Sequence, residues 1–372
     1  MSLAPHNRAQ PGSAAADPVR VLITDDSAVV RGLLTRWLKD AEGIEVVAKA
    51  SDGVIAVRLA REHQPDVVIL DVEMPRLDGL AALPQILEAA PQAKVVMAST
   101  LTHRNADITL RALSRGAADY LPKPDSRSLA GATDFRDSLI AKVRALGEAG
   151  RVRARGHAHT AAAPARIAPR PRPKAAGSVP RAVFIGASTG GPQALRTVIS
   201  AIGPALTLPI FITQHMPKAF TKVLAEHLSK AAGKPVVEGR DGMPVKSNGI
   251  YLAPGDYHMT VRRGGSSIVI GLDQRPPENY CRPAVDPLFR SAAKVYRDGV
   301  LGVILTGMGH DGCAGARALV AAGARIVAQD EASSVVWGMP GSVVHEGLAE
   351  EIQPLGQIGA TIIRIASKGE HK

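Results

Sequence analysis

The sequence predicts an α/β protein built from two successive units. The first has a five-stranded parallel sheet; the second has a mostly parallel sheet with a β-hairpin set into it. Three observations carry this expectation. Short apolar runs alternate with segments of helical periodicity along both halves of the chain, the pattern of strand-helix-strand units. Aromatic residues are scarce, at 3% of a chain that is 45% apolar, so the cores must be built from Ala, Val, Leu and Ile, which suits sheets covered by helices. Between the halves, Arg151 to Pro180 holds seven Arg or Lys and no Asp or Glu, and is rich in Ala and Pro. Such a stretch cannot bury enough apolar surface to fold by itself. The 372 residues therefore divide into a disordered tail (1–18), a first domain (19–147), a basic linker (148–179) and a second domain (180–368).

That linker also explains most of the charge. Arg151 to Pro180 supplies +7 of the net +11, so the basic balance reflects a solvated spacer more than a basic face. It has no helix and no stacking aromatics with which to read bases, so a nucleic-acid partner is not expected. The two cysteines, Cys281 and Cys313, form no CxxC pair, which argues against a zinc site or a disulfide framework and for a reducing compartment. No run approaches the ~18 apolar residues of a membrane span, and Met1 to Pro18 has no signal-like apolar segment. A cytoplasmic protein without membrane insertion is the expectation.

In the first half, strands are expected at Val21–Thr24, Val46–Ala50, Val67–Leu70, Val95–Ala98 and Ala118–Leu121, with helices between. Sites in parallel sheets lie at the carboxyl ends of the strands. Asp25 and Asp26 follow the first strand, Asp71 the third, Ser99 the fourth and Lys123 the fifth. Converging carboxylates repel one another unless a hard cation such as Mg²⁺ neutralises them. A carboxylate beside such an ion, with a hydroxyl and a lysine near it, can accept a phosphoryl group. Taken singly, Asp25 or Asp26 could cap a helix, Asp71 could open a turn and Lys123 could be a surface lysine. Five such residues at successive strand ends fit one site better.

The motifs Val-Leu-Ile-Thr-Asp-Asp, Asp-Val-Glu-Met-Pro-Arg-Leu-Asp-Gly, Val-Val-Met-Ala-Ser-Thr and Tyr-Leu-Pro-Lys-Pro give this half its resemblance to the response-regulator receiver domain, a flavodoxin-like fold. The resemblance implies Asp71 as phosphoacceptor, and Asp25, Asp26 and Asp71 as Mg²⁺ ligands. It further implies Ser99 and Lys123 on the phosphoryl oxygens, Tyr120 as the side chain that changes rotamer, and a cis Lys123–Pro124 bond. Thr100 follows Ser99, and strand phase favours Ser99 as the phosphate contact.

In the second half, strands are expected at Ala182–Gly186, Leu208–Thr213, Ile250–Ala253, Val300–Leu305 and Ala324–Ala328. Helices are expected at Gln193–Ile202, Lys218–Ala232, Asp286–Arg297, Asp311–Ala322 and Gln357–Ala366. His258–Arg263 and Ser267–Leu272, alternating in polarity around Gly264 and Gly265, read as a hairpin. The first strand runs into Gly186, Ser188 and Gly190, a Gly-x-Ser-x-Gly turn that lifts a hydroxyl towards a ligand. A phosphate-binding P-loop would need Lys where Pro192 stands, and the dinucleotide spacing of glycines is absent. A nucleophile is the better reading. His215 follows the second strand and Asp311 follows the turn after Leu305, so a serine, an imidazole to take its proton and a carboxylate to orient the imidazole all stand at strand ends. The chain order Ser, His, Asp differs from that of α/β-hydrolases, so the turn would be a convergent one. Plainer roles also suit these residues: Asp311 as a helix cap, His215 as a hydrogen-bonded strand-end histidine, with His258, His310 and His345 as competing bases. Met308 lies in a glycine-rich turn at a helix start, where backbone N–H groups can meet an oxyanion.

Phe-Ile-Gly-Ala-Ser-Thr-Gly-Gly, Ile-Thr-Gln-His-Met-Pro, Arg-Pro-Ala-Val-Asp-Pro-Leu-Phe and Leu-Thr-Gly-Met-Gly-His-Asp-Gly make residues 181–366 similar to the catalytic domain of chemotaxis protein-glutamate methylesterases, a family with a receiver domain in front. The resemblance implies Ser188 as nucleophile, His215 as base and Asp311 as its orienting carboxylate. Met308 N–H, with Thr189, would meet the oxyanion. It implies hydrolysis of glutamyl methyl esters and deamidation of glutamines on chemoreceptors, with a chemotaxis histidine kinase as phosphodonor and no cofactor for the esterase. Arg282 and Asp286 are read as a helix start and an ion pair. A receiver joined to a non-catalytic scaffold or a nucleotide-binding module is the alternative, and no helix-turn-helix pattern supports a DNA-binding regulator.

Overall fold

The structure is a computed structural model that describes residues 17–123, 129–158 and 178–367. In chain order the first domain comprises β1 (Val19–Thr24), α1 (Ala28–Lys39), β2 (Ile44–Ala50), α2 (Gly53–His63), β3 (Val67–Asp71), α3 (Gly79–Ala89), β4 (Lys94–Ser99), α4 (His103–Ser114), β5 (Asp119–Pro122) and α5 (Leu129–Ala158). The five strands are parallel and ordered β2-β1-β3-β4-β5. Every residue of β3 is buried, as expected of a central strand covered on both faces. Polar side chains start the helices: Ser27 accepts from Val30 N–H, Asp52 from Val54 and Ile55, Asp78 from Ala81, and Thr102 from Asn105. Strand order reverses between β1 and β3, so the crevice opens where Asp25, Asp26 and Asp71 emerge.

One boundary differs from the expectation. α5 runs on past Gly147 to Ala158, so the first part of the stretch read as linker is helical. Leu139, Val143 and Leu146 bury its earlier turns against the sheet. Residues 1–16, most of the tail, and 159–177, the rest of the linker, lie outside the described residues, as does Pro124 with the expected cis bond.

The second domain comprises β6 (Ala182–Ala187), α6 (Gly191–Ile202), β7 (Ile210–Gln214), α7 (Lys218–Ala232), β8 (Val236–Glu238), β9 (Ile250–Leu252), β10 (His258–Gly264), β11 (Ser267–Asp273), α8 (Val285–Tyr296), β12 (Val300–Ile304), α9 (Cys313–Ala321), β13 (Arg325–Gln329), α10 (Gly338–His345), β14 (Glu351–Gln353) and α11 (Leu355–Ser367). Its parallel sheet has seven strands ordered β14-β13-β12-β6-β7-β9-β8. The hairpin β10-β11 closes through a turn with Gly265 at φ +62°. Two edge strands, β8 and β14, span three residues each, too few to show a period of two. α10 (Gly-Met-Pro-Gly-Ser-Val-Val-His) hides its helix behind Gly and Pro. The chain passes from β6 to β7 on one side and returns to β12 on the other. The switch point of this sheet therefore lies beyond β6, where Ser188 stands. Among the described residues, no helix is long and apolar enough to cross a membrane.

The two domains share a packed seam. α4 lies against α6 and α7, and the Tyr120 ring stacks on Phe220 with centroids 4.8 Å apart. Val336, just before α10, joins the first domain's apolar cluster, and Met308 and Val335 pack against it.

Candidate active site and phosphoacceptor site

At the end of β6 the backbone bends sharply. Gly190 adopts φ +76°, and a Cβ there would lie 2.5 Å from the Val335 side chain, so only glycine fits. Gly307 is equally constrained, because a Cβ on it would come within 2.9 Å of Ser188 Cβ. Gln214, the last residue of β7, fixes the bend from below by donating its amide N–H to Ser188 O at 2.9 Å. The result is a half-buried Ser188 whose hydroxyl makes no hydrogen bond among the described residues.

His215 and Asp311 meet beside it. His215 Nε2 lies 2.7 Å from Asp311 Oδ2. Asp311 is 1% exposed and accepts from Val285 N–H (2.6 Å), Asp286 N–H (3.1 Å), Gly312 N–H (2.9 Å) and Asn279 Nδ2 (2.9 Å). It does not cap α9, whose N-cap is Gly312; its carboxylate turns to the imidazole instead. Burial disfavours its charge, but His215 and the N–H donors outweigh that and hold it down at about 2. Burial also disfavours a charged His215, yet Cys281 and Asp311 beside the ring raise it to about 10. The other ring nitrogen, Nδ1, faces Cys281 Sγ at 3.2 Å. His258, one of the competing histidines, is buried elsewhere, with Nε2 on Pro276 O and Nδ1 near Ala284 N.

The residues proposed for the oxyanion stand at the domain seam. Thr189 is buried, and its hydroxyl donates to Asp119 Oδ2 of β5 at 2.8 Å. Lys142 of α5 pairs with the same carboxylate. The Met308 side chain packs on the first domain, while its backbone N–H has no partner among the described residues. The first domain thus covers one wall of the serine site and engages the hydroxyl next to Ser188.

The second cluster lies at the strand ends of the first domain. Asp25, Asp26 and Asp71 bring carboxylate oxygens within 4.8 Å of one another, a set that suits a hard cation. Lys123 Nζ lies 2.7 Å from Asp25 Oδ2 and 2.7 Å from Asp71 Oδ1. Asp71 is pushed up to about 6 because burial outweighs the opposing Lys123 charge. The Lys123 ammonium is itself raised, since Asp71 and Asp25 more than offset its burial. A cavity of about 170 Å³ opens here, lined by Asp26, Asp71, Ser99, Thr100, Asn105 and Lys123 among others. Thr100 Oγ1 accepts from Asn105 Nδ2 at 2.7 Å, and Ser99, buried at the end of β4, donates its hydroxyl to Thr100 O at 3.1 Å. Tyr120 is fixed in its stack with Phe220.

The candidate catalytic residues and the candidate phosphoacceptor residues thus form two separate clusters, with Tyr120 in the seam and His258 and Arg282 apart from both. Arg282 pairs with Asp256 at 2.6 Å, and Asp286 sits in the first turn of α8. Four contributors carried no signal in the sequence: Asp119, Gln214, Asn279 and Cys281. Each acts through a tertiary contact, which neither the strands that hold Asp119 and Gln214 nor the irregular turn of Asn279 and Cys281 reveals.

Comparison with known proteins places this geometry. Residues 183–362 match the CheB methylesterase family model, and residues 21–133 match the response regulator receiver domain model. A protein-glutamate methylesterase/protein-glutamine glutaminase of Rhodopseudomonas palustris is 49% identical over 370 residues, covering 94% of this chain and 95% of that protein. The one of Azospirillum brasilense is 49% identical over 375 residues, covering 96% and 95%. A receiver domain followed by a methylesterase domain, aligned with such relatives over nearly its whole length, makes this chain a member of the CheB protein-glutamate methylesterase/protein-glutamine glutaminase family.

Proposed function

We propose that this chain is a cytoplasmic serine hydrolase that demethylates glutamyl methyl esters, and deamidates glutamines, on chemoreceptors. We further propose that phosphorylation of Asp71 by a chemotaxis histidine kinase switches it on. The contact between His215 Nε2 and Asp311 Oδ2 (2.7 Å) beside the Ser188 bend carries this reading.

Ser188 Oγ attacks the ester carbonyl carbon while its proton passes to His215. Asp311 occupies Nε2, so Nδ1 is the nitrogen that takes the proton, and the serine must displace the Cys281 contact to reach it. Transfer through a positioned imidazole is worth roughly 10²- to 10⁴-fold. The Met308 N–H, and the Thr189 hydroxyl once free, meet the oxygen that becomes negative; one such donor contributes about 3 kcal/mol. The C–O bond to methoxide breaks, and His215 returns its proton to release methanol. Water then attacks the acyl-serine, giving its proton to His215, and the glutamate carboxylate leaves as Ser188 recovers its proton. With a glutamine the leaving group is ammonia.

Regulation follows from the seam. Thr189 is tied to Asp119, and Tyr120 of the same strand is stacked on Phe220 of α7. Phosphoryl transfer to the Asp71 carboxylate draws Ser99 and Lys123 towards the new oxygens. Asp25, Asp26 and Asp71 would hold Mg²⁺, which when bound offsets the negative charge of the phosphoryl group. Pulling on β4 and β5 loosens the strand that holds Thr189. Reversing a 1:99 closed-to-open ratio takes about 5.5 kcal/mol of differential stabilisation. Methanol release from methylated receptor, with and without a phosphodonor, tests the whole scheme. Ser188→Ala should abolish release, and Asp71→Asn should keep basal release but lose activation. Hydrolysis by Ser188→Ala, or full activation of Asp71→Asn, would refute it.

A further inference from the structure

The turn before α8 offers a residue that the reaction scheme does not use. Glu278 and Cys281 pair across a tight turn, and Asn279 within it has φ +51°, a left-handed backbone that Asn tolerates better than most residues. That backbone aims the Asn279 amide inward, where Nδ2 lies 2.9 Å from Asp311 Oδ1 and 3.0 Å from Asp286 Oδ2. An amide nitrogen has two N–H groups, so it can serve both carboxylates at once. Both acids are buried, at 1% and 3% exposure, and like charges so placed raise one another's proton affinity. Their environments differ accordingly. Asp311 has four backbone and ring donors besides Asn279, whereas Asp286 has one other, Gly315 N–H at 2.6 Å.

We infer that Asn279 is a positioning residue of the esterase site, bridging Asp311 and Asp286 so that Asp311 stays ionised and correctly aimed at His215. This inference rests on the Ser188, His215 and Asp311 reading. The direction of the acid shifts agrees with it: Asp286 is pushed up to about 6, by burial first and then by Asp311, while Asp311 stays low. Charged and titratable groups facing the cluster are Cys281 at His215 Nδ1, the ion pair of Arg290 in α8 with Glu278 in the preceding turn, and Arg317 of α9.

The test uses the full chain with Asn279→Asp, Asn279→Ala and Tyr280→Ala. Tyr280, the next residue, is fully exposed and serves as the control for the turn itself. The readouts are the pH dependence of methyl-ester hydrolysis and of Ser188 labelling by a fluorophosphonate, with the His215 ring followed by NMR. Both Asn279 variants should hydrolyse ester on the order of 10- to 100-fold more slowly, as losses of groups that orient a catalytic ligand do. Their acid limbs should move in opposite directions. Asn279→Asp adds negative charge near His215 and moves the limb to higher pH. Asn279→Ala takes away a donor that aims Asp311 at the ring, which weakens its hold on the charged imidazole and moves the limb to lower pH. A role confined to holding the turn would slow Tyr280→Ala as well and would leave the limbs in place, and either result overturns the inference. Ser188→Ala, run in parallel, separates the two ideas. If it remains active the triad reading has failed, and if it is inactive while the Asn279 variants behave as the parent, only the bridge has failed.

Discussion

Cys281 holds the imidazole nitrogen that Ser188 needs. Its sulfur lies 3.2 Å from His215 Nδ1, and burial of the ring is overcome by Cys281 and Asp311 together, which raises His215 to about 10. A base held in its charged form cannot accept a serine proton, so negative charge on the Cys281 sulfur and catalysis compete. Cys281→Ala should move the acid limb of Ser188 labelling to lower pH and speed labelling at neutral pH, about tenfold for every pH unit the limb travels. The pH profile of fluorophosphonate labelling measures it, and an unmoved limb would mean that the thiol does not set the charge of the ring. Nothing in the sequence pointed to this residue. The serine and the histidine were legible because each follows a strand, and the aspartate because it follows the glycine-rich turn after one. Cys281 stands in an irregular turn, and it becomes meaningful only when that turn is folded against β7.

At the scale of elements, the interface depends on α4, β5 and α7. β5 is the edge strand of its sheet, and successive residues of it reach the second domain: Asp119 to Thr189, Tyr120 to Phe220. α4 adds Asp107, whose Oδ1 lies 2.9 Å from His227 Nε2 of α7. That pair is partly exposed, at 42% and 21% for the two side chains, and such pairs contribute about 0–1 kcal/mol. His227→Ala should therefore raise basal esterase activity only a few-fold, with activation by phosphodonor retained. Methanol release without phosphodonor is the measurement, and a rise of two or more orders of magnitude would place far more of the closure at this pair than its exposure allows. Periodicity revealed all five strands of the first sheet and five of the seven in the second, because apolar burial dictates their spacing, and missed the short β8 and β14. It did not reveal the seam, since Thr189 and Asp119 are 70 positions apart and neither residue type is unusual where it stands. The continuation of α5 to Ala158 was hidden for a related reason: a basic composition reads as linker, although Arg and Ala both favour helix.

For the whole molecule, the charged His215–Asp311 pair links stability to pH in a direction opposed to catalysis. His215 is raised from 6.5 to about 10, so its contribution to stability is complete below about 6.5 and is lost as pH rises through about 10. Asp311 is lowered from 3.8 to about 2, so its contribution is present above about 3.8 and is lost as pH falls through about 2. Both contributions coexist between about pH 4 and 6.5. Activity requires the neutral imidazole and so increases where the first contribution fades. Replacing His215 with Gln removes the titration while keeping a polar side chain of similar reach. The melting temperature of the parent should exceed that of His215→Gln most between pH 4 and 6.5, and the difference should shrink steadily towards pH 10. Thermal unfolding of both proteins across that range decides it. A difference that stays constant from pH 5 to pH 10 would mean that the imidazole is not charged in the folded resting enzyme, and that Ser188 is held back by the seam alone.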